Sequence, residues 1–380
     1  MSLNLRALLQ EMIERDASDL HLTAGERPKV RIDGEITNAT VEHVLTPKDT
    51  LQLAYSVLTE QQKKRFEFED ELDFSFGIQN LARFRGNVFK QRGCVAMVLR
   101  MIPFSVRTFD DLGLPPVVAK LAERPRGLIL VTGPTGSGKS TTLAAMLDKI
   151  NKERKGHIIT VEDPIEFIHR HQSCIVNQRE VGTDTNSFHA ALKYALRQDP
   201  DVVLVGEMRD LETTASALTI AETGHLAFAT LHTNSAAESI NRIIDVFPSH
   251  QQSQVRAQLA FVLEGVITQT LLQKAKGKGR VMAAEILVVT PAIRALIRDD
   301  KVEQIPSMMQ AGKKHGMQTL NDALYQLYMG REVTKDECLR VTSQPNDFLR
   351  MIGETPPDER EGPSAPGAPQ AGPSKVAARR

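Results

Sequence analysis

Residues 127–141 read GLILVTGPTGSGKST, an apolar run that passes into a glycine-rich loop and then into helix-forming residues. The loop fits the phosphate-loop pattern GxxxxGK[ST], and it stands between a predicted strand and a predicted helix, as that pattern requires. Its glycines let backbone N–H groups curl around phosphates, and the helix N-terminus adds positive charge. The predicted nucleotide-binding residues are Gly133, Pro134, Thr135, Gly136, Ser137, Gly138, Lys139, Ser140 and Thr141.

Downstream of this loop, short apolar runs alternate with segments of helical periodicity. Buried apolar strands that alternate with helices are typical of a doubly wound, mostly parallel α/β sheet. The sequence therefore predicts an α/β nucleotide-binding domain. The predicted strands are 127–133, 157–163, 201–207 and 225–232, and the predicted helices are 139–152, 187–198 and 211–224.

The chain divides by pattern into four parts. Residues 1–102 combine an amphipathic first helix with short alternating segments, which predicts a smaller α+β domain. A proline-containing linker, 103–116, leads into the α/β domain at 117–352, whose C-terminal part reads as mainly helical. Residues 353–380 are rich in proline and glycine and nearly lack large aliphatic residues, so we expect a disordered tail.

Composition limits the possible functions. Lys plus Arg equals Asp plus Glu at 47 each, and Trp is absent, so the 380-residue chain has neither the overall charge nor the stacking residues typical of nucleic-acid binding. The three cysteines are widely spaced, which excludes a CxxC zinc site. No run approaches 18 apolar residues, so no membrane span is predicted.

Carboxylates follow two of the predicted strands. VVLVGE (202–207) resembles a Walker B strand, but Gly206 stands where an Asp usually holds Mg²⁺, which leaves Glu207 at the strand's carboxyl end. EDPIEF (162–167) supplies Glu162 and Glu166. We expect Lys139 to reach the β- and γ-phosphates, Ser140 and Glu207 to hold Mg²⁺ (the latter through water), and Glu162, Glu166 or Glu207 to orient the attacking water.

Two histidines bracket the strand in TGHLAFATLHTN (223–234). His225 and His232 differ by seven residues, so in a strand they lie about 23 Å apart and face opposite sides, and they cannot share a metal. His232 falls at the carboxyl end, where it can sense the γ-phosphate. His225 falls at the amino end, so we expect it to act only indirectly.

Taken together, GPTGSGKST, ITVEDPIEF, ALRQDPDVVLVGEMRD and TGHLAFATLHTNSA resemble the bacterial secretion ATPase superfamily, which includes type II secretion and type IV pilus motors. EDPIEF matches the family's Asp box, and GHLAFATLHTN matches its His box. Within this family the chain is most similar to pilus retraction motors, because it is short, lacks a tetracysteine insertion and carries PAIRALIRDDK (291–301), similar to their AIRNLIRE signature. Matching positions include Ala292, Ile293, Arg294 and Leu296, whereas Ala295 and Asp299 depart from it.

The resemblance implies further properties. It implies a RecA-like P-loop NTPase domain preceded by a PAS-like domain, a hexameric ring, and ATP and Mg²⁺ as ligands. It implies that arginines of the N-terminal domain reach the nucleotide's phosphates; the candidates are Arg83, Arg85, Arg92 and Arg100, of which Arg85 and Arg100 match best. It also implies a cytoplasmic motor, peripheral at the inner membrane, that acts on the pilus platform protein beside paralogous retraction and extension ATPases and drives pilus disassembly and twitching motility.

Two alternatives stay open at this stage. A nucleic-acid translocase is possible on the same core, because a fold does not specify function. An accessory paralogue that regulates another pilus or secretion motor is compatible with the substitution at Ala295. No direct contact with nucleic acid is expected if the chain is a pilus motor.

Overall fold

The computed structural model describes residues 3–32, 34–79, 81–102, 105–277 and 279–356. It contains a six-stranded sheet and a seven-stranded sheet. The predicted tail lies almost entirely outside the described residues, and so do the first two residues of the predicted linker.

The six-stranded sheet belongs to the N-terminal part and is antiparallel throughout, with the order β3-β2-β1-β6-β5-β4. Helix α1 packs its leucines into the core beneath it, as its amphipathic pattern predicts, and α2 and α3 each begin with a capping box. The elements are α1 (Leu5–Glu14), β1 (Asp19–Leu22), β2 (Lys29–Ile32), β3 (Glu35–Asn38), α2 (Pro47–Tyr55), α3 (Glu60–Glu69), β4 (Glu71–Ile78), β5 (Ala82–Gln91) and β6 (Cys94–Ile102).

The seven-stranded sheet has the order β13-β12-β7-β11-β10-β8-β9. All neighbouring pairs are parallel except β12 with β13, so the predicted mostly parallel α/β sheet is confirmed. Its strands are β7 (Gly127–Thr132), β8 (His157–Glu162), β9 (Ile175–Glu180), β10 (Val202–Val205), β11 (Leu226–Leu231), β12 (Leu263–Gln273) and β13 (Arg280–Val288).

The helices of this part alternate with the strands and then continue to the end of the described chain. Strands β7, β10 and β11 are buried at every position, which places the largest apolar core of the protein around the centre of this sheet. The helices are α4 (Pro116–Ala122), α5 (Lys139–Glu153), α6 (Phe188–Ala195), α7 (Leu211–Glu222), α8 (Ala236–Asp245), α9 (Ser249–Val262), α10 (Pro291–Arg298), α11 (Ile305–Ala311), α12 (Leu320–Met329), α13 (Lys335–Val341) and α14 (Pro345–Met351).

The C-terminal part is less helical than the sequence indicates. Strands β12 and β13 form an antiparallel hairpin in a region that we predict as mainly helical, and β9 is a strand with no counterpart in the prediction. The apolar run of β12 follows α9 directly, without an intervening turn residue, so its pattern reads as a continuation of that helix. Pairing with β7 and β13 makes it a strand.

Among the residues with described positions, no helix is both long enough and apolar enough to cross a membrane.

Candidate active site

A cavity of about 1180 Å³ lies at the carboxyl end of the seven-stranded sheet. The phosphate loop after β7, the residues after β8 and β10, and His232 after β11 all contribute to its wall. Parallel strands present their carboxyl ends at one edge, which is where ligands bind in open α/β sheets. The sheet topology thus brings together residues that are up to about a hundred positions apart in the sequence.

The phosphate loop is held against β12. A Cβ added to Gly133, whose φ is 137°, would lie 2.2 Å from the main-chain oxygen of Gln269, so only glycine fits there. The side-chain amide of Gln269 donates to the main-chain oxygen of Ser137 at 2.8 Å. Gly138 then adopts a left-handed conformation as the N-cap of α5, so that Lys139 and Ser140 begin the helix at the cavity.

Lys139 folds back onto the loop that carries it. Its Nζ donates to the main-chain oxygens of Gly133 and Pro134 at 2.8 and 3.1 Å, and it lies 3.5 Å from Nδ1 of His232. Burial lowers the pKa of Lys139, although the negative charges of Glu207 and Glu166 oppose that effect. The half-buried ammonium group is therefore placed between the loop and the two carboxylates.

Glu207 and His232 are in polar contact at the centre of the site. Nε2 of His232 lies 3.1 Å from one carboxylate oxygen of Glu207, and Arg209 lies 2.8 Å from the other. Burial acts to raise the pKa of Glu207, but the hydrogen bond from Arg209 and the charges of His232 and Arg209 outweigh it, so the pKa falls below its usual value. A chain of polar contacts thus connects Arg209, Glu207, His232 and Lys139.

Gly206 explains the departure from the common Walker B pattern. A Cβ at this position would lie 3.0 Å from the main-chain oxygen of Val161 and 3.2 Å from Cα of Glu162. Thr230 also donates its hydroxyl to the main-chain oxygen of Gly206. Strands β8, β10 and β11 are therefore packed too closely here for a larger residue without displacement of the main chain.

Glu162 and Glu166 differ in their surroundings, although both line the cavity. Glu162 accepts hydrogen bonds from Thr160 at 2.6 Å and Gln178 at 3.3 Å, and burial raises its pKa to about 7. The Glu166 main-chain N–H donates to Glu162 at 3.4 Å. The side chain of Glu166 has no hydrogen bond or ion pair among the described residues, and it is exposed in the cavity wall.

The two histidines are separated, as the strand geometry predicts. His225 precedes β11, and its Nδ1 lies 3.0 Å from the hydroxyl of Thr223 and 3.2 Å from the main-chain oxygen of Ile220. Among the described residues, no group of three or more His, Cys, Asp or Glu side chains is arranged to hold a metal ion. His225 therefore lies in the packing at the amino end of the strand, away from the cavity.

The four arginines of the N-terminal sheet do not line the cavity of this chain. Arg85 and Arg100 are paired directly across β5 and β6, as their resemblance to phosphate-binding arginines requires, but Arg100 Nε donates to Asp19 at 2.8 Å. Arg83 contacts Ser75 and Glu180, and Arg92 occupies the turn between β5 and β6.

The helix that matches the retraction signature lies at the amino end of the seven-stranded sheet. Arg294 donates to the main-chain oxygens of Ala260 and Phe261 at 2.6 and 2.7 Å, and it forms an ion pair with Glu264 at 2.6 Å. Ile293 is completely buried, and Leu296 packs at the edge of the core. Ala292 is exposed. Helix α10 therefore caps the C-terminus of α9 through Arg294, and its residues do not line the cavity.

Sequence reasoning missed one wall of the cavity. Arg107, Asp110 and Asp111, from the segment that we predict as a linker, line it together with Gln269 of β12 and Arg280 of β13. The charged residues of the segment are its only sequence signal, because no motif surrounds them. The linker is therefore part of the candidate site.

The cavity fits a nucleoside triphosphate. The Ser137 hydroxyl and Oε1 of Gln269 are buried and without a hydrogen-bond partner in the described part of the chain, and both residues line the cavity beside the loop. Buried polar atoms normally have partners, so these two indicate a polar ligand. The hydroxyl of Ser140 and the carboxylate of Glu207 are oxygen donors of the kind that Mg²⁺ prefers.

Comparison with known proteins agrees with this site. The family model described as "Type II/IV secretion system protein" matches residues 2–340. The Pseudomonas aeruginosa "Type IV pilus retractation ATPase PilT" is 49% identical over 91% of this chain and 100% of its own length. The "Type IV pilus ATPase PilU" of the same organism is 44% identical over 91% of this chain and 90% of its own length.

A solved structure is similar over the same region. The "Crystal Structure of the Pilus Retraction Motor PilT and Bound ADP" superimposes with a TM-score of 0.87 at 52% identity, and the match covers 92% of this chain and 100% of that one. The family match, these relatives and the complete phosphate loop together show that the chain is an ATPase and belongs to the Type II/IV secretion system protein family.

Proposed function

We propose that this chain is the motor ATPase that drives type IV pilus retraction. The observation that carries the proposal is the meeting of the complete phosphate loop with Glu166, Glu207 and His232 in one cavity, in a chain that aligns with a pilus retractation ATPase along that relative's full length. Pilus disassembly and twitching motility are the cellular outputs of such a motor.

In the proposed reaction, Lys139 moves from the loop carbonyls to the β- and γ-phosphates of ATP. Ser140 would hold Mg²⁺ directly and Glu207 through water, and the ion would supply charge neutralisation at the phosphates. His232 contacts both Lys139 and Glu207, so it detects whether the γ-phosphate is present. In this position His232 would connect the γ-phosphate to the carboxylate of Glu207.

Glu166 is our choice for the residue that orients the attacking water. Glu207 is bound on both oxygens by Arg209 and His232, and Glu162 accepts hydrogen bonds and has a pKa raised to about 7. Glu166 alone among the three has an unengaged carboxylate within the described structure, and it faces the cavity. A free carboxylate can accept a hydrogen bond from water and align it with the γ-phosphate.

The N-terminal arginines act in an assembled ring under this proposal. Arg85 and Arg100 reach the phosphates after closure of the N-terminal domain, and Arg100 then leaves Asp19. The ring is a homohexamer that lies in the cytoplasm against the inner membrane, where it turns the pilus platform protein. The likeness to both relatives supports a machine shared with a paralogous pilus ATPase. The proposal also assigns an extension ATPase to the same machine.

The decisive experiment is deletion in the piliated host and complementation with wild type or Lys139→Ala. A retraction motor gives hyperpiliated, non-motile cells that only the wild type restores. Loss of pili contradicts retraction and indicates an extension motor.

The likeness to the second pilus ATPase keeps one other candidate in view. If the chain is an accessory paralogue, cells that lack it keep their pili and their motility. The deletion then changes motility only in cells whose main motor is weakened. DNA-stimulated ATP hydrolysis with a steep salt dependence would instead indicate a nucleic-acid translocase.

A further inference from the structure

The two sheets are connected through a buried carboxylate that lies outside the cavity. Glu180, the last residue of β9, is 4% exposed and belongs to the seven-stranded sheet. Its Oε1 accepts a hydrogen bond from the hydroxyl of Ser75 on β4, at 2.6 Å. Arg83 on β5 donates to the same hydroxyl at 2.7 Å and lies 3.7 Å from Oε2. The β4–β5 hairpin of the N-terminal sheet is thus tied to the neighbouring domain.

The other side of this carboxylate holds the loop that carries Glu166. Oε2 of Glu180 accepts the main-chain N–H of Ile165 at 3.1 Å. Ile165 is buried and immediately precedes Glu166, which faces the cavity. One carboxylate therefore contacts both the N-terminal hairpin, through Ser75 and Arg83, and the main chain of the candidate catalytic loop, through Ile165.

Burial makes these two contacts interdependent. If the hairpin moves away, Glu180 loses the Ser75 hydroxyl and Arg83, its only described cation, and Oε1 keeps only the longer hydrogen bond from the Thr183 hydroxyl, at 3.3 Å. The carboxylate is then free to shift towards the Thr183 hydroxyl, and such a shift alters the hydrogen bond that Oε2 accepts from Ile165. A displacement of about an ångström at a catalytic group is enough to change a rate strongly.

We propose that Glu180, through Ser75 and the main chain of Ile165, is a positioning residue that sets the location of Glu166 according to the position of the β4–β5 hairpin. The proposal rests on the proposed role of Glu166 in hydrolysis. It gives the N-terminal domain a route to the catalytic carboxylate that does not pass through the nucleotide.

The test compares two variants of the same strand in the purified full chain. Ser75→Ala removes the hydroxyl that crosses to Glu180, whereas Asp73→Asn changes a side chain whose described hydrogen bond, from Asn87, stays within the N-terminal sheet. Ser75→Ala should lower kcat for ATP hydrolysis about fivefold to tenfold and change KM less than twofold. It should also accelerate amide hydrogen exchange in residues 163–167. Ser75→Thr, which keeps a hydroxyl, should restore both quantities.

Two results overturn the inference. These are a wild-type kcat for Ser75→Ala, whether or not exchange is faster, and an equal loss of kcat in Asp73→Asn. A separate variant, Glu166→Gln, tests the proposed function. If it hydrolyses ATP at the wild-type rate, Glu166 does not orient the attacking water. The amide exchange would still report whether Glu180 connects the hairpin to the loop.

Discussion

The two ends of the parallel strands in the seven-stranded sheet carry similar polar residues but use them differently. At the carboxyl end, His232 contacts Lys139 and Glu207, so the side chains bond to one another around a cavity. At the amino end, His225 contacts the hydroxyl of Thr223 and the main-chain oxygen of Ile220, and His157 contacts the main-chain oxygen of Gln198 and the side chain of Asn177. Side-chain partners occur at both ends, so what distinguishes the carboxyl end is that a lysine, a glutamate and a histidine meet there in the wall of one large cavity.

The largest expected effect lies at the carboxyl end. Lys139→Ala removes the cation that we propose binds the phosphates, so we expect ATP hydrolysis to fall at least about 100-fold. The matched control is Lys149→Ala, on the same helix but engaged with Glu123 and Glu153 at the surface. Phosphate release measures both variants, and an equal loss in the two would mean that folding of α5 was being measured.

Glu162, also at the carboxyl end of the sheet, should make the stability of the protein depend on pH. Because the pKa of Glu162 rises from 4.5 to about 7 on folding, the folded state keeps a proton that the unfolded state releases. This stabilisation is complete below pH 4.5 and is lost as the pH rises to about 7. The wild type should therefore lose roughly 2 kcal/mol more than Glu162→Gln between pH 5 and pH 8.

Thermal unfolding without nucleotide at the two pH values measures this difference. The exposed Glu60 supplies the control, because Glu60→Gln should keep the pH dependence of the wild type. If Glu162→Gln kept it too, Glu162 would be ionised in the folded state across this range.

At the amino end, substitution should affect stability and leave hydrolysis intact. Arg294→Ala removes an ion pair to Glu264 and donors to two main-chain oxygens, which should cost about 2 kcal/mol and lower Tm by roughly 5 °C. Arg298→Ala on the same helix removes only an exposed contact with Asp299 and should change Tm little. A large loss of kcat in stably folded Arg294→Ala would show that the two ends are coupled.

The smallest predicted effect is the difference in kcat between the His232→Ala and His225→Ala variants. His232→Ala removes one of the two side-chain partners of Glu207 and should lower kcat about tenfold. His225→Ala should leave kcat within about twofold, because its partners are Thr223 and the main chain of Ile220. Steady-state ATP hydrolysis by both proteins provides the measurement. Equal losses would remove the distinction between the two ends.

The carboxyl end was predictable because the information is local. The phosphate loop fixes the strand before it and the helix after it, and parallel strands then bring Glu162, Glu207 and His232 to the same edge. The remaining parts depend on contacts between distant segments. Arg107 and Gln269 line the cavity because of tertiary packing, and Asp19 contacts Arg100, which is 81 positions away in the sequence. No local sequence pattern predicts these contacts.

The errors in the fold have the same origin. Strand β12 has an apolar run that suits a helix or a strand, and only its hydrogen bonds to β7 and β13 decide between them. Strand β9 carries charged and polar residues at four of its six positions and lies at the sheet edge, where the pattern of a buried strand is weak.

The close packing at Gly206 has a consequence for how such sites can change. Its missing side chain is filled by the main chain of Val161 and Glu162, so replacing it with the aspartate found in other ATPases would require neighbouring strands to separate by a few tenths of an ångström. A single substitution at this position therefore also requires a small shift in the main chain of the neighbouring strand. A lineage or an engineer that replaces Gly206 has to accommodate that shift.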